Sequence, residues 1–147
     1  MTLRCHQPDL ARELAEVAAT ALVFVADPEV GDDWEEVRAE LSEAFQLTQQ
    51  AVTSGEPVIY VVENDNLLGR RGAGAAMVAA GLLSGARTAA LEQLRAGLPV
   101  NVISSDPAVP AGVLAAWCRR AMEPLEGAGM TGELLHLGGE HLGKTLP

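Results

Sequence analysis

Lysine is almost absent from this chain: Lys144 is the only one among ten basic residues in 147. Tyrosine is equally scarce, with Tyr60 alone, and aromatic residues make up 3% of the sequence. Cysteine is limited to Cys5 and Cys118, which have neither the close spacing of a zinc site nor the number needed for a disulfide framework. Two unpaired thiols predict a reducing, cytosolic setting. Basic charge is in deficit, with twenty acids against ten bases and a formal net charge of −10. Such a surface repels phosphate backbones and anionic lipids, so neither nucleic acid nor membrane is expected as a partner. No basic-then-apolar leader opens the chain. Its apolar stretches read as too short to span a bilayer.

What is present is a globular composition, 48% apolar, of a length that fits one domain over residues 1–147. Alanine, glycine and arginine-over-lysine usage points to a high-GC bacterial genome. Strand and helix patterns alternate along the chain. Thr2–Cys5 is a short strand candidate, and Pro8 opens a helix over Pro8–Ala19, as proline at a first turn does. Ala21–Ala26 and Val58–Val62 are continuous apolar runs, the signature of strands buried on both faces. Asp32 and Asp33 cap a helix that runs to Ser54, with Val37, Leu41, Phe45, Thr48 and Val52 on one face. A polar loop, Glu63–Gly72, precedes a long helix over Ala73–Arg95. Val100–Ile103 and Leu134–Leu137 are further strands, separated by a helix over Ala111–Met122. Strands alternating with helices predict a mostly parallel sheet with helices on both faces.

Five stretches resemble the second half of a short-chain dehydrogenase/reductase, in that family's order. Leu22–Asp27 resembles the strand ending in Asn-Ala-Gly. Glu40–Val52 resembles the helix with Asn-Leu and Thr-Gln, and Val58–Asn64 resembles the strand leading to the catalytic serine. Arg87–Ile103 is similar to the helix end and the Arg-Val-Asn-x-Ile strand. Met130–Gly139 is similar to the closing Thr-Gly segment with its Asp-Gly-Gly. The resemblance implies an α/β fold, a truncated Rossmann-like three-layer sandwich with a sheet of about five strands in the order 1-2-3-4-5.

The departures from that pattern are chemical. The family's first strand leads into a glycine-rich turn that lets the backbone approach the cofactor pyrophosphate, whereas only Met1–Gln7 precedes the first helix here. Family members carry a tyrosine and a lysine four residues apart on one helix face, and the lysine lowers the tyrosine pKa for proton exchange. Those positions fall at about Ala75 and Ala79. The serine position falls at Glu63 or Asn64, Glu40 replaces the helix asparagine, and Ser105-Asp106 replaces a Pro-Gly. The resemblance therefore implies no catalytic residue, no bound cofactor and no metal.

It also implies that assembly surfaces are retained. The helices over residues 33–54 and 73–95 resemble the pair that forms a four-helix bundle across a dimer axis, which makes Phe45, Gly74, Gly81 and Gly85 candidate interface positions. The last strand and tail resemble a second contact region. An apolar edge at Ala21–Ala26 needs a cover, and Thr2–Cys5 entering the slot beside it is the favoured one. The leading expectation is a catalytically inactive subunit. It would assemble as a dimer or tetramer, with a homologous full-length NAD(P)-dependent dehydrogenase or with itself, and shape a site for a hydroxy, keto or acyl-thioester substrate.

A second expectation is a homodimeric small-ligand-binding protein using the loop Glu63–Gly74. There Arg70 and Arg71 would hold a phosphorylated or CoA-like ligand, or Glu63, Asn64 and Asp65 would bind at a strand end. A third is a diverged enzyme with a new site. Cys118 reads as core, Trp34 as either an interface anchor or a buried staple, and His136 and His141 lack metal-ligand spacing.

Overall fold

The computed structural model describes residues 2–126 and 129–139. In chain order the elements are β1 Thr2–Arg4, α1 Pro8–Leu14, β2 Leu22–Val25, α2 Trp34–Thr53, β3 Val58–Glu63, α3 Asn64–Leu67, α4 Ala73–Gln93, β4 Val100–Ser105, α5 Ala111–Ala121 and β5 Leu134–Leu137. The strands form one sheet in the order β1-β2-β3-β4-β5, with every neighbouring pair parallel. The apolar runs produce this arrangement by presenting a hydrophobic side chain to each face in turn. Leu22, Phe24, Val58, Tyr60, Val62, Val100 and Val102 point to one face, beneath α2 and α4. Val23, Val25, Ile59, Val61 and Ile103 point to the other, beneath α1 and α5. The result is a Rossmann-like three-layer sandwich.

β1 occupies the slot beside β2, in register Thr2↔Leu22 through Arg4↔Phe24. Three residues of backbone pairing are a weak anchor, and the strand is fixed by a side chain. Arg4 is buried. Its Nη1 donates to the Val25 carbonyl at 2.9 Å, its Nε donates to Glu43 Oε2 at 3.1 Å, and its Nη2 forms a short ion pair with Glu40. The guanidinium lies over the Phe24 ring, 4.7 Å from the centroid. Glu40, also buried, accepts the Asp27 backbone N–H at 2.8 Å with its other oxygen. One carboxylate therefore ties together β1, the end of β2 and α2.

Beyond shifts of one or two residues at element ends, three features differ from the expectation. α1 ends at Leu14, and a tighter helical turn at Val17–Ala19 sets Val17 and Ala18 into the core. The polar loop expected over Glu63–Gly72 contains α3, whose Asn64 and Asn66 are buried and hydrogen-bonded. Ala73–Ala96 is long and apolar enough to cross a membrane by length and composition, against the reading that no stretch is. Its inner face, including Val78, Leu82 and Leu83, packs on the sheet as a core helix. His141 and Lys144 lie outside the described residues.

Replacing Glu40 with alanine removes the buried charge partner of Arg4 and the acceptor of the part-buried Asp27 N–H. The expected cost is roughly 3 kcal/mol in urea unfolding. Glu43, half-exposed at the far end of the same cluster, costs less than about 1 kcal/mol when replaced. Equal costs for the two would contradict the anchoring role of Glu40.

Candidate functional site

Parallel α/β sheets bind ligands outside the carboxyl ends of their strands, and this molecule has a crevice there of about 320 Å³. Its floor is the ends of β2 and β3, including Ala26 and Val62, and its walls come from the first turns of α1 and α5, including Leu10 and Leu114. The polar lining consists of Gln7, Asp9, Glu63, Ser105 and Asp106. Glu63 and Asp106 come together because β3 and β4 run parallel in register: Glu63 faces Ser105, and Asp106 follows it. Asp106 is held by accepting the Ala108 N–H at 2.8 Å. Glu63 Oε2 is enclosed without a hydrogen-bond donor, facing Arg71 Nη2 at 3.4 Å. Burial pushes the Glu63 carboxyl above its ordinary value. Arg71 opposes the rise, and Glu29, Asp65 and Asp106 reinforce it.

The candidate residues of the Glu63–Gly74 loop separate in space. Only Glu63 lines the crevice. Asn64 turns inward: its amide donates to the Leu137 carbonyl at 3.3 Å, and its Oδ1 meets His136 Nδ1 at 3.1 Å. The same imidazole nitrogen is 3.2 Å from Ser104 Oγ. Serine and asparagine thus share one ring nitrogen. That geometry joins β4, β5 and α3. Arg70 Nη1 donates to Asp65 at 3.2 Å, and Arg71 Nη1 to Glu29 at 3.2 Å. Both guanidinium groups are turned to carboxylates.

The glycines of α4 also separate. A side chain at Gly74 would meet the Gly31 carbonyl at 1.9 Å, so this glycine serves a close approach within the chain, and its N–H donates to Asp32 at 2.7 Å. At Gly81 the neighbour is Leu41 of α2. At Gly85 there is open space. Gly85 lies in a groove of about 500 Å³ between α2 and α4, with Phe45, 63% exposed, on its rim. Of the candidate interface positions, Phe45 and Gly85 therefore face the groove without an intramolecular reason.

No family model matches the sequence, and no curated protein matches it. Solved structures do match. A short-chain dehydrogenase/reductase from Serratia marcescens superposes with a TM-score of 0.56 at 17% identity, covering 86% of this chain and 70% of that one. The promiscuous reductase LugOII, which catalyses keto-reduction at C1 during lugdunomycin biosynthesis, superposes with a TM-score of 0.60 at 19% identity, covering 86% of this chain and 63% of that one. The chain has the short-chain dehydrogenase/reductase fold. It spans about two thirds of the length of these neighbours.

Ala75 and Ala79, about where the resemblance places the tyrosine and lysine, are buried on the inner face of α4. α4 contains neither residue type. Tyr60 points to the α2 side of the sheet, where its hydroxyl shares a short hydrogen bond with Thr48. Burial raises the Tyr60 pKa, against a smaller opposing pull from Thr48. Cys118 is fully buried, and burial pushes its thiol up to about 12, the behaviour of a packing residue. Trp34 is exposed.

A dinucleotide fits the crevice poorly. The turn from β1 into α1, Cys5-His6-Gln7-Pro8, has no glycine to admit a pyrophosphate, and proline at the first helical position removes an N–H donor. Three carboxylates and no Lys, Arg or His line the space. Sequence reasoning found Glu63 but missed Asp106. The available signal was that both follow neighbouring parallel strands.

The raised Glu63 pKa sets a pH dependence. The folded state holds that proton more tightly than the unfolded state, so stability falls as pH rises through and above the ordinary glutamate value of 4.5. Glu63→Gln removes this loss. Urea unfolding will show the variant gaining on the parent as pH rises past that value. A constant difference at all pH values would contradict the assignment.

Proposed function

We propose that this chain is a non-catalytic subunit that assembles with a full-length NAD(P)-dependent dehydrogenase and stabilises or shapes that partner's site for a hydroxy or keto substrate. The observation that carries the reading is the contrast along α4. About where the resemblance places the proton-transfer pair stand two buried alanines, whereas one turn and a half further on Gly85 opens an unfilled groove beside the exposed Phe45. Glycine inside a helix costs about 1 kcal/mol against alanine, and nothing among the described residues repays it at Gly85. A second helix lying across α2 and α4 would. An aromatic side chain at the rim of an apolar hollow is the usual anchor of such a contact.

The groove is nearly free of charge: of its lining residues only Glu92 is of a type charged at neutral pH. That suits close approach of another apolar helix pair, and the acidic remainder of the surface favours a partner of opposite charge. The free thiols of Cys5 and Cys118 support a cytosolic site of action.

Co-expression with a full-length dehydrogenase encoded beside this chain, followed by native mass spectrometry, tests the proposal. A stable complex of the two polypeptides is expected, and a persistent lone monomer would overturn it. Phe45→Ala should weaken the association by at least about tenfold. Gly85→Ala should stabilise the isolated chain by about 1 kcal/mol while weakening the complex. An alanine at Gly85 that leaves association unchanged would remove the groove from the interface.

A further inference from the structure

The last strand of the sheet delivers the chain to the rim of the crevice. β5 ends at Leu137, whose carbonyl accepts the Asp106 N–H at 2.9 Å and the Asn64 amide at 3.3 Å. Gly138 follows with φ 146°, and a side chain there would come within 2.9 Å of Asp106 Cβ. Only glycine lets the backbone take that conformation and press so closely on Asp106. Asp106 is itself a lining residue of the crevice. The chain therefore leaves the sheet at a fixed point on the crevice rim, and residues 140–147 continue from it. We propose that residues 140–147 fold back in cis across the carboxyl ends of the strands as a strap, with Leu142 seated in the crevice and Lys144 at its far wall beside Asp9.

The reach is right. Neighbouring strands lie about 4.8 Å apart, and extended chain advances about 3.4 Å per residue. Three residues from Gly139 cover roughly 10 Å, or about two strand spacings. That sets Leu142 over the end of β3, where Val62 and Ala26 form the crevice floor. Two further residues carry Lys144 another 7 Å or so, toward the first turn of α1 at the opposite side of the sheet from β5. Residues 142 and 144 fall on the same side of an extended chain. The chemistry matches as well. The middle of the crevice is aliphatic, with Val25, Ala26, Val62, Leu10 and Leu114, and burial of a leucine there supplies the driving force. The lining holds acids and no Lys, Arg or His, while the strap carries the chain's one lysine. Asp9 is exposed, and its contact with Arg12 at 2.8 Å is a surface pair that holds it only weakly. Glu63 is already paired with Arg71 and takes no part. A seated strap fills the place where parallel α/β sheets receive ligands, so the chain closes its own crevice.

This inference stands on the chain's own residues and is independent of any partner subunit. The test is carbodiimide coupling of the full-length chain, which joins amines to neighbouring carboxylates, followed by peptide mapping. Lys144 supplies the sole side-chain amine, so each of its cross-links reports where the strap lies. A link from Lys144 to Asp9, across the crevice from the exit point, is expected. In a mixture of 15N-labelled and unlabelled chains that link should join residues of the same label. Leu142→Ser should lower its yield by about fivefold or more, and NMR spectra of that variant should show the backbone amides of Leu10, Ala26 and Leu114 shifted from the parent. Three results would each overturn the proposal. The first is Lys144 linked only to Asp106 at the exit, to acids on other faces such as Glu92, or to nothing. The second is a link joining labelled to unlabelled chains, which would place the tail of a neighbouring copy in the crevice. The third is unchanged yield and unmoved crevice amides in Leu142→Ser.

Discussion

The guanidinium of Arg4 and the carboxylate of Glu40 meet inside the molecule, and the geometry of its amino-terminal half depends on that meeting. A three-residue strand at a sheet edge has little pairing of its own to hold it. Here it is pinned by a charged group that bonds the end of β2 and lies on the Phe24 ring. Burying the pair carries a desolvation cost. The cost is met by satisfying both partners: Arg4 has three acceptors, and Glu40 also takes the Asp27 N–H. With β1 so placed, β2 becomes an internal strand and the turn into α1 is carried over the sheet's carboxyl end. Gln7, Pro8 and Leu10 then wall the crevice.

The same residue also marks a departure from the family pattern. Glu40 stands where the resemblance places an asparagine, and its carboxylate is used for architecture. Comparable exchanges run through the rest of the site. Asn64 and Ser104 are consumed in the junction around His136, and Ala75 and Ala79 are packing residues. The arginines that might have met a phosphate are engaged with Asp65, Glu29 and Glu63. What remains open to the outside is an acidic crevice and the apolar hollow between α2 and α4. Under the proposed function, a molecule of this kind contributes surfaces.

Much of this architecture is legible in the sequence. Ala21–Ala26 and Val58–Val62 are apolar without interruption, which only a strand buried on both faces tolerates, and the parallel order follows from their alternation with helices. The slot taken by Thr2–Arg4 is legible too, because an apolar edge at β2 demands a cover. Other features depend on contacts far apart in the chain. Nothing near Arg4 or Glu40 announces a pairing across 36 residues. Asn64-Asp65-Asn66 reads as a loop because these residues favour turns and caps over helix interiors, yet buried partners make it a helical turn. Gly74 looks like its neighbours Gly81 and Gly85 in the sequence, and only the Gly31 carbonyl distinguishes it. Asp106 gains its meaning from the register of β4 against β3, which no local pattern encodes.

The proposed function requires that this polypeptide supply no chemistry of its own. The most direct measurement is steady-state turnover of NADH and NADPH by the purified chain, given a panel of ketones and hydroxy compounds and then repeated with the partner dehydrogenase added. The account predicts no turnover without the partner. Turnover by the chain alone, abolished by replacing one of its own polar residues, would contradict it.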